Sequence, residues 1–481
     1  MMRLISRAER NDNAPGGAGE AIPQRVHLVG AGGIMMSGIG DILLARGHTV
    51  TGSDLVSSEH TKRLLAHGAT IYEGHAAAHV GRAELVVVTA AARDDNPELL
   101  GARERGIPVI GRAEMVRRLI AGRRLLAIAG THGKTTTTAL LALMAVRGEL
   151  DPLVLLGGDS PELGGNARDG AGVAVVEADE YAEAFLNYEP RLALITNVEA
   201  DHLDYFGSEE RLRDAFIEFA ARLLPEGTLI VCADSPQAEA IGDARRRAGA
   251  RVERYAVDTE AEWRALRLRT NDLGGYDFTA TLDGTELGVV SLRVPGRHNV
   301  ANALGALAVA MRAGVDFNRA AQAAQEFSGA ARRFQLVATV AGVTLMDDYA
   351  HHPTEVRATL SAARQRFPEA RLVACFQPHT FSRSAYLLEG FRNCFEGLDA
   401  LYLLRTYAAR ETAEAGLDAR GLASEISSPR PVYLDSFEEA AERIAAELAE
   451  GDVFFTIGAG DVTELGPMLR ERLEQRAGGS A

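Results

Sequence analysis

The sequence predicts an α/β protein built from three domains. Its 481 residues are enough for about three separate hydrophobic cores. Short apolar segments typical of buried strands alternate with helical segments along most of the chain, which is the pattern that produces parallel sheets. Two glycine-rich turns follow such strands, one after Val29 and one after Ala129, and each precedes a helical segment. Both turns are typical of sites that bind phosphate groups.

The first domain is expected over residues 25–122, after a polar tail over residues 1–24 that we expect to be flexible. The segment from Gly30 to Gly38 begins like a dinucleotide-binding turn, and Asp54 follows the next strand at about the distance of a ribose-binding acid. Met35, however, takes the place of the third glycine of that pattern. The turn therefore predicts a Rossmann-like domain that binds the phosphates of a nucleotide, without selecting NAD.

The central domain is expected over residues 123–331 and the C-terminal domain over residues 332–481. The central domain begins with a P-loop ATPase-type α/β pattern. Short alternating segments between about residues 252 and 294 then predict a small antiparallel patch. Beyond Arg332 a further alternation of strands and helices predicts a Rossmann-like α/β domain.

Residues 130–138, Gly-Thr-His-Gly-Lys-Thr-Thr-Thr-Thr, are the most informative segment of the chain. Lys134 is one of only two lysines among 51 basic residues, and a compact ammonium fits among phosphate oxygens where a planar guanidinium does not. The segment joins a strand expected over Leu125–Ala129 to a helix expected from Ala139 to Val146. Loop N–H groups and the helix dipole would face an anion, and Thr135 would offer its hydroxyl to Mg²⁺. We therefore expect ATP and Mg²⁺ as cofactors.

Acidic residues and a histidine follow two further strands of the central domain. Glu177 and Glu180 lie at the end of one strand candidate, and His202 follows the next one. Because the carboxyl ends of parallel strands meet at one edge of a sheet, these groups can hold Mg²⁺ and orient an attacking group beside the phosphate loop. A solvated acidic loop is the structural alternative.

Together these segments resemble the Mur ligase family, in the family's order from about residue 25 to residue 465. The motifs that carry the resemblance are residues 130–138, 177–180 (Glu-Ala-Asp-Glu), 196–202 (Thr-Asn-Val-Glu-Ala-Asp-His), 296–299 (Gly-Arg-His-Asn), 332–334 (Arg-Arg-Phe), 347–355 (Asp-Asp-Tyr-Ala-His-His-Pro-Thr-Glu) and 376–379 (Phe-Gln-Pro-His). So many separate motifs in one order do not arise from composition.

The resemblance implies an ATP-dependent amide ligase. The carboxylate of UDP-N-acetylmuramate would become an acyl phosphate, and an amino acid, L-alanine by the best motif match, would displace the phosphate. Such chemistry depends on charge neutralisation and alignment more than on a protein nucleophile. Two alternatives stay open, a recycling ligase that attaches murein tripeptide to the same substrate and a nonenzymatic nucleotide-regulated scaffold.

Composition limits the partners and the compartment. A net charge of −15 argues against a general nucleic-acid or acidic-membrane surface, and no apolar run approaches the roughly 18 residues that span a bilayer. Three scattered cysteines are too few for a disulfide framework and are expected to pack in the core. We expect a cytoplasmic monomer or weak homodimer.

The resemblance also implies roles for individual residues. Those expected to bind ATP are Gly130, Thr131, His132, Gly133, Lys134, Thr135, Thr136, Asn299, Arg333 and Asp348. The expected metal ligands are Thr135, Glu177 and His202. The expected contacts to the UDP substrate and the amino acid are Gly32, Gly33, Ser37, Asp54, Tyr349, His379 and Arg383. The expected catalytic residues are Lys134, Glu177, His202, Arg332 and His351.

Structural alternatives and departures accompany these roles. His351 could be an ordinary hydrogen-bonded loop histidine, and Arg332 and Arg333 could form interdomain ion pairs. Met35, Ala182, Ala184 and Thr380 stand where relatives usually or often have Gly, Asp, Ser and Arg. Met35 would place a side chain in the tight turn over the uridine nucleotide.

Overall fold

The computed structural model describes residues 21–409, 411–413 and 416–478. Three sheets follow one another along the chain, as the α/β prediction requires, and each is flanked by helices. Most of the expected N-terminal tail, residues 1–20, lies outside the described residues. Of its last four residues, Ile22 packs against the first core and Gln24 donates a hydrogen bond to the carbonyl of Gly47.

The first sheet is parallel throughout and has the strand order β3-β2-β1-β4-β5. Its strands are β1 Arg25–Val29, β2 Thr49–Asp54, β3 Thr70–Glu73, β4 Leu85–Val88 and β5 Val109–Gly111. The helices of this region are α1 Ile34–Ala45, α2 Glu59–Ala66, α3 Pro97–Glu104 and α4 Arg112–Leu119. The glycine-rich turn after β1 leads directly into α1, as the sequence predicts.

The second sheet has ten strands in the order β15-β14-β13-β12-β11-β10-β6-β9-β7-β8. Its strands are β6 Leu125–Ala129, β7 Leu153–Ser160, β8 Gly165–Arg168, β9 Ala174–Glu177, β10 Leu192–Ile195, β11 Thr228–Cys232, β12 Arg251–Ala256, β13 Trp263–Thr270, β14 Tyr276–Leu282 and β15 Thr285–Ser291. The predicted antiparallel patch is β13 to β15, and it extends the sheet edge because β13 pairs in parallel with β12.

The helices that cover the second sheet are α5 Lys134–Arg147, α6 Leu203–Phe206, α7 Glu209–Ala221, α8 Pro236–Arg247, α9 Arg297–Ala313 and α10 Phe317–Glu326. The expected start of α5 at Ala139 is wrong, because the helix begins at Lys134. The four threonines that disfavour a helix in isolation are buried in its first turns, and the hydroxyl of Thr138 donates to the carbonyl of Lys134. In this helix, the burial of the threonines outweighs their low helix propensity.

The third sheet has the strand order β16-β17-β21-β18-β19-β20, with one antiparallel pair, β16 with β17. Its strands are β16 Gln335–Val340, β17 Val343–Asp348, β18 Leu372–Phe376, β19 Ala400–Leu404, β20 Val432–Leu434 and β21 Val453–Ile457. Its helices are α11 Pro353–Arg366, α12 Phe381–Tyr386, α13 Leu388–Asn393, α14 Ala419–Glu425, α15 Phe437–Glu447 and α16 Leu465–Gly478.

The cores show how the domains are joined. One hydrophobic cluster contains Met35 and Leu43 of α1 together with Leu125 of β6 and Phe216 of α7, so the first two domains share a core. In the described part of the chain, the two clusters of the third domain draw their members from residue 334 onward. Cys232, Cys375 and Cys394 are buried and unpaired, as expected. None of the described helices is both long and apolar enough to cross a membrane.

Candidate active site

Two glycines of the phosphate loop combine a positive φ angle with close neighbours that leave no room for a side chain. Gly130 and Gly133 have φ angles of +137° and +79°, which L side chains rarely adopt. A Cβ atom at Gly130 would collide with the hydroxyl of Thr196, and one at Gly133 would lie 2.5 Å from the side-chain oxygen of Asn302. The loop can therefore approach its neighbours closely while its N–H groups stay at the helix start.

Lys134 lies at the centre of the loop. Its ammonium donates to the carbonyls of Gly130 at 2.5 Å and Thr131 at 3.0 Å, and to the carboxylate of Glu180 at 3.0 Å. Burial would lower the pKa of Lys134, but the Glu180 and Asp179 carboxylates raise it above its ordinary value. The loop therefore carries a fixed positive charge where an anion would bind.

Thr135 and Glu177 provide an oxygen-rich site beside that charge. The Thr135 hydroxyl donates to the Glu177 carboxylate at 3.1 Å, and the N–H of Gly157 donates to its second oxygen at 2.7 Å. Burial raises the pKa of Glu177. A hydroxyl and a carboxylate are the hard oxygen ligands that Mg²⁺ prefers, and a dication would offset the cost of burying this carboxylate. The residues present fit the expected metal.

His202 lies on the other side of Glu180. Its Nε2 atom is 3.8 Å from Glu180 Oε1 and 3.9 Å from the carboxylate of Asp201. His202 has a φ angle of +52°, in the left-handed region, and precedes the short helix α6. A strained backbone conformation of this kind often accompanies a functional site. Glu180 thus connects His202 with Lys134.

Residues 197–199, which follow β10, form hydrogen bonds with the phosphate loop. Thr131 exchanges hydrogen bonds with the backbone of Glu199, and the N–H of His132 donates to Asn197 Oδ1 at 2.8 Å. The imidazole of His132 lies between Glu355 at 3.3 Å and Glu199 at 3.5 Å. Burial opposes the charge, but these carboxylates raise the pKa of His132 to about 9.

Asn299 lies behind the loop at the start of α9. Its amide donates to the carbonyl of Pro295 at 2.7 Å and accepts from Asn302 at 3.1 Å, while Asn302 lies against Gly133. Thr136 is nearly buried in the first turn of α5. The structure therefore brings every residue expected in the phosphate loop together with Asn299.

The two arginines at the start of the third domain behave differently. Arg332 donates to Asp347 at 2.9 Å and to the carbonyl of Gly458 at 2.7 Å, so the ion pair forms within the third domain rather than between domains. Arg333 lies 3.5 Å from Glu355, the residue that contacts His132. Of the two, Arg333 is closer to the phosphate loop by these contacts.

The loop after β17 presents Tyr349 and His351, whereas Asp348 organises the loop itself. The Asp348 carboxylate accepts hydrogen bonds from the N–H groups of Phe334 and Ala350, both at 2.8 Å. Burial raises the pKa of Asp348 to about 6. Tyr349 lies beneath both guanidiniums of the preceding arginine pair, 5.0 and 5.1 Å from its ring centre. The backbone contacts explain the position of Asp348 without requiring a bound nucleotide.

His379 and Arg383 lie together at the domain junction. Arg383 donates to Asp201 Oδ1 at 2.7 Å, and its other terminal nitrogen is 2.8 Å from His379 Nδ1. The ring of His351 is 5.7 Å from that of His379. Burial lowers the pKa of His379 to about 2, so this imidazole is neutral. A permanent cation beside neutral imidazoles suits a small zwitterion or carboxylate.

The first turn is tied to Asp54. The N–H of Gly32 donates to the Asp54 carboxylate at 2.8 Å, and Gly33 immediately precedes α1. The Ser37 hydroxyl donates to the carbonyl of Ile34, so it is already used inside the helix. Met35 is also a helical residue and is 5% exposed in the shared core. The expectation that Met35 crowds the turn is therefore wrong, because its side chain points into the core.

Four acidic residues connect the predicted site residues, and the sequence analysis gave no role to three of them, Glu199, Asp201 and Glu355. Glu180 contacts Lys134, Asp201 contacts Arg383, Glu199 contacts Thr131 through its backbone, and Glu355 contacts His132 and Arg333. All four lie inside the motifs that carry the family resemblance, so the sequence indicated that these residues belong to the site. Their partners could not be read from the sequence, because the pairs of Asp201 with Arg383, Glu199 with Thr131 and Glu355 with His132 join residues more than 60 positions apart.

Of the departures from the family pattern, Ala182 and Thr380 have left-handed φ angles of +53° and +65°. Ala182 and Glu183, both with positive φ, form a kink in the segment Tyr181–Asn187, which also contains the buried Ala184. Thr380 precedes α12. These positions shape the backbone next to Glu180 and His379.

Comparisons with known proteins agree with this arrangement. Three family profiles match consecutive regions: "Mur ligase family, catalytic domain" over residues 25–124, "Mur ligase middle domain" over 128–310 and "Mur ligase, glutamate ligase domain" over 332–460. The UDP-N-acetylmuramate–L-alanine ligase of Geobacter sp. strain M21 is 41% identical over 457 residues, which is 94% of this chain and 98% of the relative. That of Roseiflexus castenholzii is 44% identical over 471 residues, 93% of this chain and 97% of the relative.

Solved structures show the same likeness. The UDP-N-acetylmuramate–alanine ligase of Thermotoga maritima superposes with a TM-score of 0.80 at 28% identity, covering 95% of this chain and all of that one. A murein peptide ligase from Psychrobacter arcticus gives 0.72 at 25% identity, covering 94% and 99% of the two chains. With profiles matching all three domains and relatives above 40% identity over nearly the full length, the chain belongs to the Mur ligase family.

Proposed function

We propose that this protein is the ATP-dependent ligase that joins L-alanine to UDP-N-acetylmuramate. One observation carries the proposal beyond the likeness to relatives. A continuous series of contacts runs from Lys134 through Glu180, His202 and Asp201 to Arg383. The phosphate-binding loop and the pocket suited to an amino acid are therefore neighbours, which a phosphoryl-activated coupling reaction requires.

ATP would be held by the phosphate loop, with Lys134 and Arg333 neutralising its phosphates. Thr135 and Glu177 would hold Mg²⁺, and His202, whose Nε2 atom lies 3.8 Å from Glu180, would be a further ligand. Bound Mg²⁺ supplies charge neutralisation at the phosphate oxygens. Arg332 would act through the loop after β17, because its guanidinium is occupied by Asp347 and Gly458.

The UDP portion of the substrate would bind at the first turn, where Gly32, Gly33 and Asp54 lie. Its lactyl carboxylate would attack the γ-phosphate of ATP, forming an acyl phosphate and releasing ADP. The neutral amine of alanine would then attack the acyl carbon, forming the amide as inorganic phosphate leaves. The chain's residues align these groups and balance their charge. Arg383 would bind the carboxylate of alanine, which would take the place of the Asp201 carboxylate as its partner, and the neutral His351 and His379 would border the amine.

The relatives favour the main proposal over the recycling ligase. Those of Geobacter and Roseiflexus, at 41% and 44% identity over nearly the full length, are L-alanine ligases. The proposed alanine site contains Arg383 and His379, and the ring of His379 stacks on that of Tyr407. A nonenzymatic scaffold is disfavoured, because it has no need of buried charges that converge from two domains. We further propose that the enzyme works in the cytoplasm as a monomer or weak homodimer.

The test is an assay of ADP formation with UDP-N-acetylmuramate, ATP and Mg²⁺ against a panel of amino acids and the murein tripeptide. L-alanine should support the fastest rate, and the product should be UDP-N-acetylmuramoyl-L-alanine by mass spectrometry. A preference for the tripeptide would assign the chain to recycling. ADP formation that no acceptor stimulates would refute the ligase.

A further inference from the structure

A cluster of two histidines and a carboxylate lies at the junction of the central and third domains, apart from the Thr135–Glu177 pair. His132 belongs to the phosphate loop, Glu199 follows β10, and His352 immediately precedes α11. One potential ligand atom from each of the three lies within 4.8 Å of the others. The proposed function gives no role to the side chains of Glu199 and His352.

The spacing of these atoms suits a small tetrahedral ion. In a four-coordinate site with bonds of about 2.1 Å, ligand atoms lie about 3.4 Å apart. His132 Nε2 is 3.5 Å from Glu199 Oε2, and His352 Nδ1 is 3.9 Å from the same oxygen. Each separation is longer than a good hydrogen bond, and His132 Nε2 is a buried nitrogen without a hydrogen-bond partner.

The surroundings of His132 resemble those of a metal-binding histidine. Its other ring nitrogen, Nδ1, is 3.3 Å from Glu355 Oε1. A carboxylate in that position fixes the orientation of the ring, and an ion would take the place of the proton on the opposite nitrogen. Glu199 is about one-third exposed, with 37% of its side chain accessible, so an ion can enter and keep a water ligand. His352 is 5% exposed and its ring stacks at an angle 4.6 Å from that of His132.

We propose that His132, Glu199 and His352 form a second metal site, selective for transition-metal dications of the Zn²⁺ type over Mg²⁺. Two imidazoles and one carboxylate are ligands that zinc, cobalt and nickel prefer, whereas Mg²⁺ prefers oxygen. The nitrogen of His352 that faces Glu199 accepts a hydrogen bond of 3.2 Å from the N–H of Thr354, which the ion would replace.

Occupation of this site would tie the two domains together. Two ligands belong to the central domain and the third to the loop that leads into α11. The hydroxyl of Thr354 already joins these surfaces by donating to Glu199 at 2.7 Å. An ion bound here would hold the domains in the contact seen in this structure and slow the opening that releases products.

The test is titration of the full-length protein with Co²⁺ and Zn²⁺ in a large excess of Mg²⁺, without nucleotide. We expect one Co²⁺ per chain with the intense visible absorption of a four-coordinate ion, and its displacement by Zn²⁺. His352→Asn and Glu199→Gln should each weaken Co²⁺ binding by about tenfold or more. These variants keep a helix cap before Thr354 and an acceptor for its hydroxyl, so both should fold.

Two control variants separate this site from others. Glu177→Gln, in the proposed Mg²⁺ site, should leave the visible Co²⁺ absorption unchanged. His67→Asn removes an exposed histidine paired with Asp41 and should also have no effect. The proposal is overturned if no four-coordinate absorption forms, if it is equally strong in His352→Asn and Glu199→Gln, or if Glu177→Gln abolishes it.

Discussion

At the scale of single residues, the ammonium of Lys134 occupies a space that only a compact cation can fill. It lies within hydrogen-bond distance of two loop carbonyls and Glu180. Lys134→Arg should lower kcat/KM by more than about a hundredfold although charge is kept, because the guanidinium is larger and planar. Steady-state ligation kinetics measure this effect.

The chain provides a matched control, because Lys62 is the other lysine. It is 62% exposed on α2 and pairs with Glu59. Lys62→Arg should leave the rate unchanged. A loss below about tenfold in Lys134→Arg would show that Lys134 does not bind phosphate.

Glu177 and His202 are expected to determine the Mg²⁺ concentration at which the enzyme reaches half its maximal rate. Glu177→Gln keeps the size of the side chain and removes its charge. The amide oxygen can still accept from the N–H of Gly157, and the NH₂ group can donate to the hydroxyl of Thr135. The Mg²⁺ concentration for half-maximal rate should rise about tenfold or more, and His202→Ala should act in the same direction. Titration of the rate with Mg²⁺ at fixed ATP measures this. If either variant changed only the KM for L-alanine, the altered residue would not be a metal ligand.

Arg383 is expected to bind the carboxylate of the amino acid. Arg383→Lys should raise the KM for L-alanine about ten- to a hundredfold, because an ammonium cannot reproduce the paired hydrogen bonds of a guanidinium. The KM for UDP-N-acetylmuramate should change little. Arg392→Lys, on the neighbouring α13 and paired with the exposed Glu389, is the control. Equal increases in every KM would indicate a general loss of structure instead.

At the scale of helices and strands, the sequence located the buried central strands well. The predicted bounds of β6, Leu125–Ala129, agree with the structure, because an unbroken run of five apolar residues that follows two arginines and precedes a glycine is typical of a buried strand. The hairpin of β7 and β8 was missed, since Gly157 and Gly158 interrupt its pattern. Its pairing depends on α1, where the amide of Asn166 bonds to the carbonyl of Ile34.

The candidate site was predictable only as far as its members lie in local motifs. The phosphate loop could be recognised because seven of the expected ATP-binding residues, 130–136, lie in one segment of nine residues. The contacts of Asp201 with Arg383 and of His132 with Glu355 join positions about 180 and 220 residues apart. No local pattern encodes such contacts, because they arise only when two domains meet.

The first domain contains a buried carboxylate that should control its acid stability. Glu98 of α3 is fully buried, accepts a 2.6 Å hydrogen bond from Ser53 on β2, and lies beside His27, His75 and His79. Burial would raise its pKa, but the imidazole of His27 and the hydroxyl of Ser53 lower the pKa of Glu98 to about 2.

Because folding favours ionised Glu98, its contribution is present above about pH 4.5 and is lost as pH falls toward 2. Glu98→Gln should reduce stability at pH 7 by up to about 3 kcal/mol and flatten the loss of stability between these pH values. Urea unfolding at several pH values tests this. Glu84→Gln, on an exposed residue paired with Arg25, is the control. Parallel curves for wild type and Glu98→Gln would contradict the prediction.

At the scale of the whole molecule, the domains are joined in two different ways. The first and central domains share a hydrophobic core, whereas the third domain meets the central one through polar pairs such as Arg383 with Asp201 and Thr354 with Glu199. Polar contacts can be exchanged for water at small cost, but a shared core cannot. We therefore expect the third domain to be the part of the molecule that moves.

Ligands that bind at the junction should stabilise the closed arrangement. An ATP analogue with UDP-N-acetylmuramate would place phosphates between Lys134 of the central domain and Arg333 of the third, which favours the state in which both cations are close. We expect the pair of ligands to reduce the radius of gyration in solution scattering and to protect residues 347–355 from hydrogen exchange. Arg333→Ala should weaken both responses, because its cation would no longer connect the third domain to the phosphates. Arg470→Ala, on α16 of the third domain and paired with Glu474 of the same helix, is the control. An unchanged scattering curve and unchanged exchange at saturating ligand would mean that the closed contacts exist before binding, and movement of the third domain would then have no part in forming the site.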